Sequence, residues 1–355
     1  MKVNNQYDKG KISFCVLGYK HRDFIEDCIK SIWEIDYENK EIIAVDDGSK
    51  DGSDELLHNL EKKSACPFTV ITQENTGKVG YNFNKALEKA SGEFVTFISL
   101  DDLYNTAEIS TMIKDMASDS NLIFNASSKI QGIAIEKNEF VDIEELKINE
   151  IENPTLNDLL ELEFNYFGAF YIQGCIFRKE IIDKINGFDE DLTGDDIILR
   201  TKLFRYMIGN NLSSFKLHDN PSVFYRRHSN NISNNSTRQM KIVSEYYERY
   251  WPGRESSELF HKWYYANITP ENFKQLKNMN QRLKDGYYHI RNTTDIINVL
   301  FFKLYKEITN TNDYSKVNVL NELYDEAPTK SKKMILIHSL LKLPFGRIAL
   351  KKLIH

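Results

Sequence analysis

Apolar positions in the first hundred residues fall into runs that alternate between two periods. "KISFCVLGY" (11–19), "KEIIAVDDGS" (40–49), "PFTVITQEN" (67–75) and "EFVTFISLDD" (93–102) are short apolar or β-branched runs, as buried strands require. Between them, "DFIEDCIKSIWEI" (23–35) places Phe24, Cys28, Ile32 and Ile35 at helical spacing. "SDELLHNLEKK" (53–63) puts Leu56, Leu57 and Leu60 on one face behind Ser53, which predicts a capped amphipathic helix. "GYNFNKALEKASG" (80–92) predicts a helix stopped at Gly92. Strands alternating with helices of this length predict an α/β fold, a mostly parallel sheet with helices on both faces.

From 104 to 165 the periods weaken. "NLIFNASSKIQGIAIEK" predicts two strands, and the acidic "VDIEELKINEIENP" (141–154) predicts surface loop and helix. "FGAFYIQGCIFRKEIIDKINGF" predicts a strand and a helix, and Ile198, Leu199, Leu203 and Met207 then give a helical face. Beyond "VFYRRHSNNIS" (223–233) helical periods dominate, over 237–250, 255–266, 271–290, 294–309, 315–325 and 331–342. The expected division is an α/β domain over 1–234 and a helical region over 235–355. The aromatic clusters "YYERYW" and "KWYYA" are expected to serve core packing or a homodimer contact, with a sugar platform as the lesser alternative.

Composition changes this picture in one place. Net charge is −6, which gives no basic field for nucleic acid. Residues 330–355, however, hold seven Lys or Arg and no Asp or Glu, leaving −13 on the rest. With Met334, Ile335, Ile337, Leu340 and Leu341 among the cations, this tail predicts peripheral contact with an anionic membrane, against the alternative of a helix packed on the enzyme. The widely spaced Cys15, Cys28, Cys66 and Cys175 are expected to be free thiols. The polar "MKVNNQYDKGK" and the absence of a ~20-residue apolar stretch predict a cytoplasmic protein at most touching a membrane.

The candidate chemistry is acidic. Ligands of an open parallel sheet bind outside the carboxyl ends of its strands, and Asp46-Asp47 and Asp101-Asp102 both end such strands. One pair could merely cap a helix; two pairs point to an acidic cleft. Adjacent carboxylates repel, and a divalent cation offsets that; oxygen ligands suit Mg²⁺ or Mn²⁺ with a substrate diphosphate. Neither a GxxxxGK[ST] loop nor a GxGxxG turn is present. Asp195 and Asp196 in "GDDIILR" also suit a helix N-terminus, each contributing well under ~1 kcal/mol.

In order, "ISFCVLGYKHRDFIEDCIKSI", "EIIAVDDGSKDGSDELL", "QENTGKVGYNFNKALEKASGEFVTFISLDDLY" and "GFDEDLTGDDIILRTKL" resemble the family-2 inverting glycosyltransferases. The resemblance covers about residues 11–233 and implies the GT-A nucleotide-diphospho-sugar fold. It implies that Asp46 and Asp47 meet the donor's base, with Tyr19 beside base and ribose and Asn75, Gly77 and Lys78 in the loop over the nucleotide. It assigns Asp101 to the metal with Asp102 in support, and puts Ser99 where the family's D-x-D element has an acid. Asp196, with Asp195 before it, corresponds to the general base. His228 is offered as a further metal ligand against a packing role, and Arg226 or Arg227 as a partner of the diphosphate. The aromatics of "FNYFGAFYIQGCIF" lie where relatives meet the acceptor, though packing explains most of them equally.

The implied activity is metal-assisted inverting transfer from a nucleotide-diphospho-sugar, a UDP-sugar, to a glycan or lipid-linked acceptor. Its setting would be synthesis of a bacterial surface glycan such as capsule or lipopolysaccharide at the inner face of the membrane. Two alternatives stand beside it. A sugar nucleotidyltransferase would want a Gly-rich, Arg- and Lys-bearing loop after the first strand, and "LGYKHRD" is not one. A catalytically idle glycan-binding partner is suggested only by Ser99.

Overall fold

A computed structural model describes residues 7–134, 139–228, 231–254, 256–260, 293–311, 316–327 and 330–341. The chain divides into two compact units, Met1–Asn234 and Asn235–His355.

In the first unit four strands run parallel: β1 (Asp8–Gly18), β2 (Lys40–Asp46), β3 (Phe68–Thr72) and β4 (Gly92–Ser99). Helices α1 (Arg22–Trp33), α2 (Ser53–Glu61) and α3 (Val79–Lys89) connect them. Alternation within the strands feeds two cores. Ile12, Phe14, Val16, Ile42 and Ala44 pack with Ile25, Ile29 and Ile32 of α1 and Leu57 of α2. Cys15, Leu17, Ile43 and Val45 turn the other way, onto Phe83, Ala86 and Leu87 of α3. Both faces being covered is what allows the strands to be parallel and nearly continuously apolar.

One buried cation ties a helix end to the sheet. The Lys40 ammonium donates to the carbonyls of Ile32 (3.0 Å), Trp33 (2.9 Å) and Ile35 (2.8 Å), gathering the carbonyl oxygens at and just beyond the end of α1. Burial lowers the Lys40 pKa, so the cation persists because these carbonyls hold it. Lys40→Met, which keeps the stem and removes the donors, is expected to destabilise the full chain by about 2 kcal/mol in chemical denaturation. A change below ~0.5 kcal/mol would remove this role.

The chain continues through β5 (Leu103–Tyr104), α4 (Thr106–Ser118), β6 (Phe124–Ser127), β7 (Lys129–Ala134) and β8 (Glu139–Glu145). It then forms α5 (Leu156–Tyr166), β9 (Ile176–Arg178), α6 (Lys179–Lys184), α7 (Asp196–Gly209), β10 (Phe215–His218) and β11 (Val223–Arg227). The main sheet has seven strands in the order β10-β6-β9-β4-β1-β2-β3, with β9 antiparallel to both β4 and β6. A second sheet, β5-β11-β7-β8, brings the segment after Tyr225 back to the end of β4.

Three local expectations are corrected. Of the acidic stretch 141–154, expected as loop and helix, residues up to Glu145 belong instead to the strand Glu139–Glu145, where Val141 and Ile143 alternate with Asp142 and Glu144 and β7 pairs with it; Lys147–Glu150 is a short 3₁₀ helix. Ser53 is the first residue of α2 rather than its cap, since Gly52 precedes it in the left-handed region. Asp51 instead accepts from the Ser53 N–H (3.0 Å) and hydroxyl (2.6 Å). Gly92 does not stop α3, which ends at Lys89; it opens β4 where a Cβ would stand 2.7 Å from the Lys11 carbonyl oxygen.

The second unit holds α8 (Ser236–Tyr250), α9 (Thr293–Thr311), α10 (Val317–Glu326) and α11 (Lys332–Leu341). Tyr246 and Tyr247 of "YYERYW" are fully buried, Tyr247 donating to the Ser257 hydroxyl at 2.9 Å. Met334 and Ile337 of α11 are buried, whereas Ile335 and Leu336 are exposed. No described helix is long and apolar enough to cross a membrane. The segment expected as a helix over 271–290, most of 255–266 with "KWYYA", and residues 342–355 of the basic tail lie outside the described residues.

Candidate active site

Strand register brings the acidic residues to one edge. Leu17 of β1 pairs with Ser99 of β4, and Gly18 pairs with Asp46 of β2. The Leu100 N–H then donates to the Leu17 carbonyl (2.8 Å) and the Asp47 N–H to the Gly18 carbonyl (2.9 Å). Tyr19 and His21 follow β1 at the same edge, with Tyr19 38% exposed.

The two aspartates of "DDGS" have different surroundings. Asp47 is a hub for the loop before α3. Its Oδ1 accepts from the Thr76 N–H (2.8 Å), the Thr76 hydroxyl (3.0 Å) and Gln73 Nε2 (3.0 Å), and its Oδ2 from the Gly77 N–H (3.0 Å). Asn75 Nδ2 donates to the Asp47 carbonyl at 2.8 Å. Gly48 makes room for this return: its φ is +74°, and a Cβ there would lie 2.5 Å from the Asn75 nitrogen. Asp46 accepts from the Ser49 N–H (2.9 Å) on Oδ2, while its buried Oδ1 has no hydrogen-bond partner. Burial accordingly raises the Asp46 pKa. Asp46 thus presents an open acceptor and Asp47 shapes the loop. Lys78, exposed, stands at the entry to α3.

At the end of β4, Asp102 Oδ1 accepts from the Arg226 N–H at 2.8 Å. Asp102 Oδ2 and Asp101 Oδ1 are buried without hydrogen-bond partners. Asp101 Oδ2 lies 3.0 Å from His228 Nε2 and 3.6 Å from His21 Nε2. Burial, then the Asp101 charge, pushes the Asp102 carboxyl well above the ordinary range. Two orphaned carboxylate oxygens beside an imidazole fit a divalent cation of the Mn²⁺ kind, which takes mixed oxygen and nitrogen donors. Among the described residues no three or more His, Cys, Asp or Glu already stand as a cation-holding group. Here the donors lie against one another rather than spread around a centre.

Ser99 donates its backbone N–H to Gln173 Oε1 at 3.0 Å. The Arg226 guanidinium reaches Asp27 (2.8 Å) and the Asp101 carbonyl (3.2 Å) and lies 5.1 Å from the Phe24 ring centre. It braces β11 against α1 and the end of β4, instead of standing open to a diphosphate. Arg227 pairs with Glu144.

A second acidic group opens α7. Asp196 is its first residue, 32% exposed at the side chain, with Arg200 one turn on at 3.5 Å. Burial, then the neighbouring Asp195 charge, lifts the Asp196 carboxyl to about 7. The half-exposed Tyr171 lies near enough for the Asp196 charge to raise its phenol pKa, after the larger effect of burial. Glu163 of α5 holds Arg200 from behind, at 2.7 Å from Nε and 3.1 Å from Nη2.

Four participants escaped the sequence reasoning: His21, Glu163, Gln173 and Arg200. Arg200 had a usable signal, four residues beyond Asp196 on a helix. His21, Glu163 and Gln173 are brought in by the fold and carried none.

The sequence model of the family described as "Glycosyl transferase family 2" matches residues 13–185. The GalNAc(5)-diNAcBac-PP-undecaprenol beta-1,3-glucosyltransferase of Campylobacter jejuni is 27% identical over 204 residues, 55% of this chain and 60% of that protein. A poly-beta-1,6-N-acetyl-D-glucosamine synthase of Staphylococcus aureus is 28% identical over 196 residues, 54% of this chain and 45% of that protein. The chain therefore spans about half the length of the curated relatives it matches. Among solved structures, S. aureus TarS 1-349 superposes with a TM-score of 0.54 at 14% identity, covering 90% of this chain and 93% of that one. TarS 1-349 in complex with UDP-GlcNAc gives a TM-score of 0.50 at 15% identity, covering 96% and 88%. At such identities the likeness concerns the fold, and it is the mixed seven-stranded GT-A sheet described above. Over residues 13–185, which include the strands that carry Asp46, Asp47, Asp101 and Asp102, the chain matches the family-2 glycosyltransferases, and it has the GT-A fold.

Proposed function

We propose that this chain moves a sugar from a nucleotide-diphospho-sugar, a UDP-sugar, to a glycan or lipid-linked acceptor of a bacterial surface polysaccharide, with inversion. The observation that carries the reading is the division of the acidic residues into two chemically different groups. At the strand ends, Asp101, Asp102 and His228 collect donor atoms, two of them orphaned oxygens, that suit a divalent cation. At the head of α7, Asp196 is a carboxyl lifted to about 7, matched to accepting a proton near neutral pH.

Asp46 offers its open Oδ1 to a base N–H, and Tyr19 and the loop latched by Asp47 line the nucleotide. Asp101, Asp102 and His228 would hold the cation, which when bound offsets the charge of the departing diphosphate. Asp196 takes the proton of the acceptor hydroxyl as that oxygen attacks the anomeric carbon, and Arg200 fixes the carboxylate's orientation.

The test is thermal shift of the full chain with UDP-GlcNAc, UDP-glucose, UDP-galactose and GDP-mannose, each with and without Mn²⁺. At about 100-fold excess over Kd a bound donor adds about 2.7 kcal/mol, a rise of several degrees. The expected result is a rise with at least one UDP-sugar that needs Mn²⁺. A rise only with GDP-mannose removes the uridine reading, a rise equal without metal removes the cation, and no rise at all removes the donor class.

A further inference from the structure

Glu163 is a fully buried carboxylate far from solvent, and every oxygen of it is used. Oε1 accepts from Arg200 Nε (2.7 Å) and from the Ala169 N–H (2.9 Å), and Oε2 accepts from Arg200 Nη2 (3.1 Å). Arg200 is itself 3% exposed. Its Nη2 also reaches the Phe167 carbonyl (3.4 Å), and a Cβ on Gly168 would stand 3.1 Å from that nitrogen. The guanidinium is thereby fixed by one edge, and its remaining nitrogen, Nη1, lies 3.5 Å from Asp196 Oδ2.

We propose that Glu163 is a positioning residue for Asp196: it occupies the Nε–Nη2 edge of Arg200 so that, of the guanidinium, only Nη1 faces the Asp196 carboxylate. The proposal rests on reading Asp196 as the base. An arginine free to turn its two-nitrogen edge onto Asp196 would make a bidentate pair, and a carboxylate so held is a poor proton acceptor. With Glu163 on that edge the cation's charge is already matched, and Asp196 receives from the guanidinium one long contact beside the Ile172 N–H, which sets its angle without neutralising it. A cross-link between α5 and α7 does not by itself require this, since apolar residues of similar volume join helices as well or better.

The groups that face Asp196 are few. Asp195 and Arg200 lie on its own helix, Glu163 comes from α5, and Tyr171 and Cys175 come from the segment before β9. Glu144 and Arg227 of the second sheet act on Tyr171 from further out. The Ile172 N–H also donates to Asp196.

Three variants of the full chain give the test, read by ¹³C NMR after selective labelling of aspartate Cγ. The Asp196 signal is identified by its loss in Asp196→Asn. Glu163→Gln removes the charge that matches Arg200, so the Asp196 midpoint is expected to fall by about one unit. Glu163→Asp keeps that charge and is expected to hold the midpoint within about 0.3 units. Glu163→Gln with Arg200→Gln removes both charges as a neutral pair, and the midpoint is expected above that of the Glu163→Gln chain. A midpoint unmoved in all three folded variants would leave Glu163 a cross-link and overturn the proposal. Should Glu163→Gln not fold, the double variant is read against the parent: its midpoint is expected at or above the parent's, and a fall of about one unit would overturn the proposal. Failure of the base reading shows elsewhere, as donor turnover that survives Asp196→Asn, and leaves the titration shifts as they are.

Discussion

Asp196→Asn is expected to lower sugar transfer about 10³-fold or more, with donor affinity within about twofold of the parent. The substitution keeps the shape and the Arg200 contact and removes the proton acceptor. Donor affinity stays on the proposed reading, in which the nucleotide and diphosphate are met by a different group of residues, at the ends of β1, β2 and β4. Isothermal titration with the donor and a steady-state transfer assay separate the two effects. Transfer at the parent rate would end the assignment of Asp196 as base.

The same carboxyl sets two pH dependences, and their signs differ from those of an ordinary surface aspartate. Its folded pKa is raised to about 7 by burial and by Asp195. Activity requires the ionised form, so kcat falls about tenfold per unit as pH drops below about 7. Stability runs the opposite way. The folded state disfavours the charge, so stability is highest below the unfolded carboxylate pKa and is lost as pH rises through the folded value. Asp196→Asn therefore raises the melting temperature at pH 8 and leaves it little changed at pH 4. Under the proposed role, residue 196 keeps function at the expense of stability.

Asp101→Ala is the second large effect. Its Oδ2 faces both His228 and His21, and its Oδ1 is buried and without a hydrogen-bond partner, so the substitution removes one of the two orphaned carboxylate oxygens together with the His228 contact. Mn²⁺ affinity, followed by the loss of the free-ion EPR signal, is expected to fall more than about tenfold. The nucleotide-sugar thermal shift in Mn²⁺ is expected to disappear with it. Parent-like Mn²⁺ binding in the Asp101→Ala chain would place the cation elsewhere or remove it.

The α/β half was legible because its signals are local. Buried parallel strands read as continuous apolar runs, and the register that aligns Ser99, Leu17, Gly18 and Asp46 follows from where those runs end. The division of labour between Asp46 and Asp47 was not legible. It depends on Gln73, Thr76 and Gly77 returning to Asp47, which is a property of the loop's path and not of the "DDGS" pattern. Glu163 was hidden for a related reason: inside "LLELEFNY" a glutamate reads as an exposed helix position, and only the packing of α5 on α7 encloses it. Arg226 shows the reverse. An arginine beside a diphosphate site invites a ligand role, yet Asp27 and the Asp101 carbonyl already occupy its guanidinium.

The strand β8 bears on how copies of this protein behave when crowded. It ends the second sheet, so one side of its backbone has no neighbouring strand within that sheet, and Phe140 and Ile143 stand exposed upon it. A strand of that kind with neutral neighbours would invite a second chain to add itself, and then a third. Glu139, Asp142, Glu144 and Glu145 put the same sign of charge along it, so a copy approaching in the same fashion meets its own repulsion. Like charge along an open edge disfavours addition of a second copy, and neutralising the run is the change expected to make this edge self-adhesive.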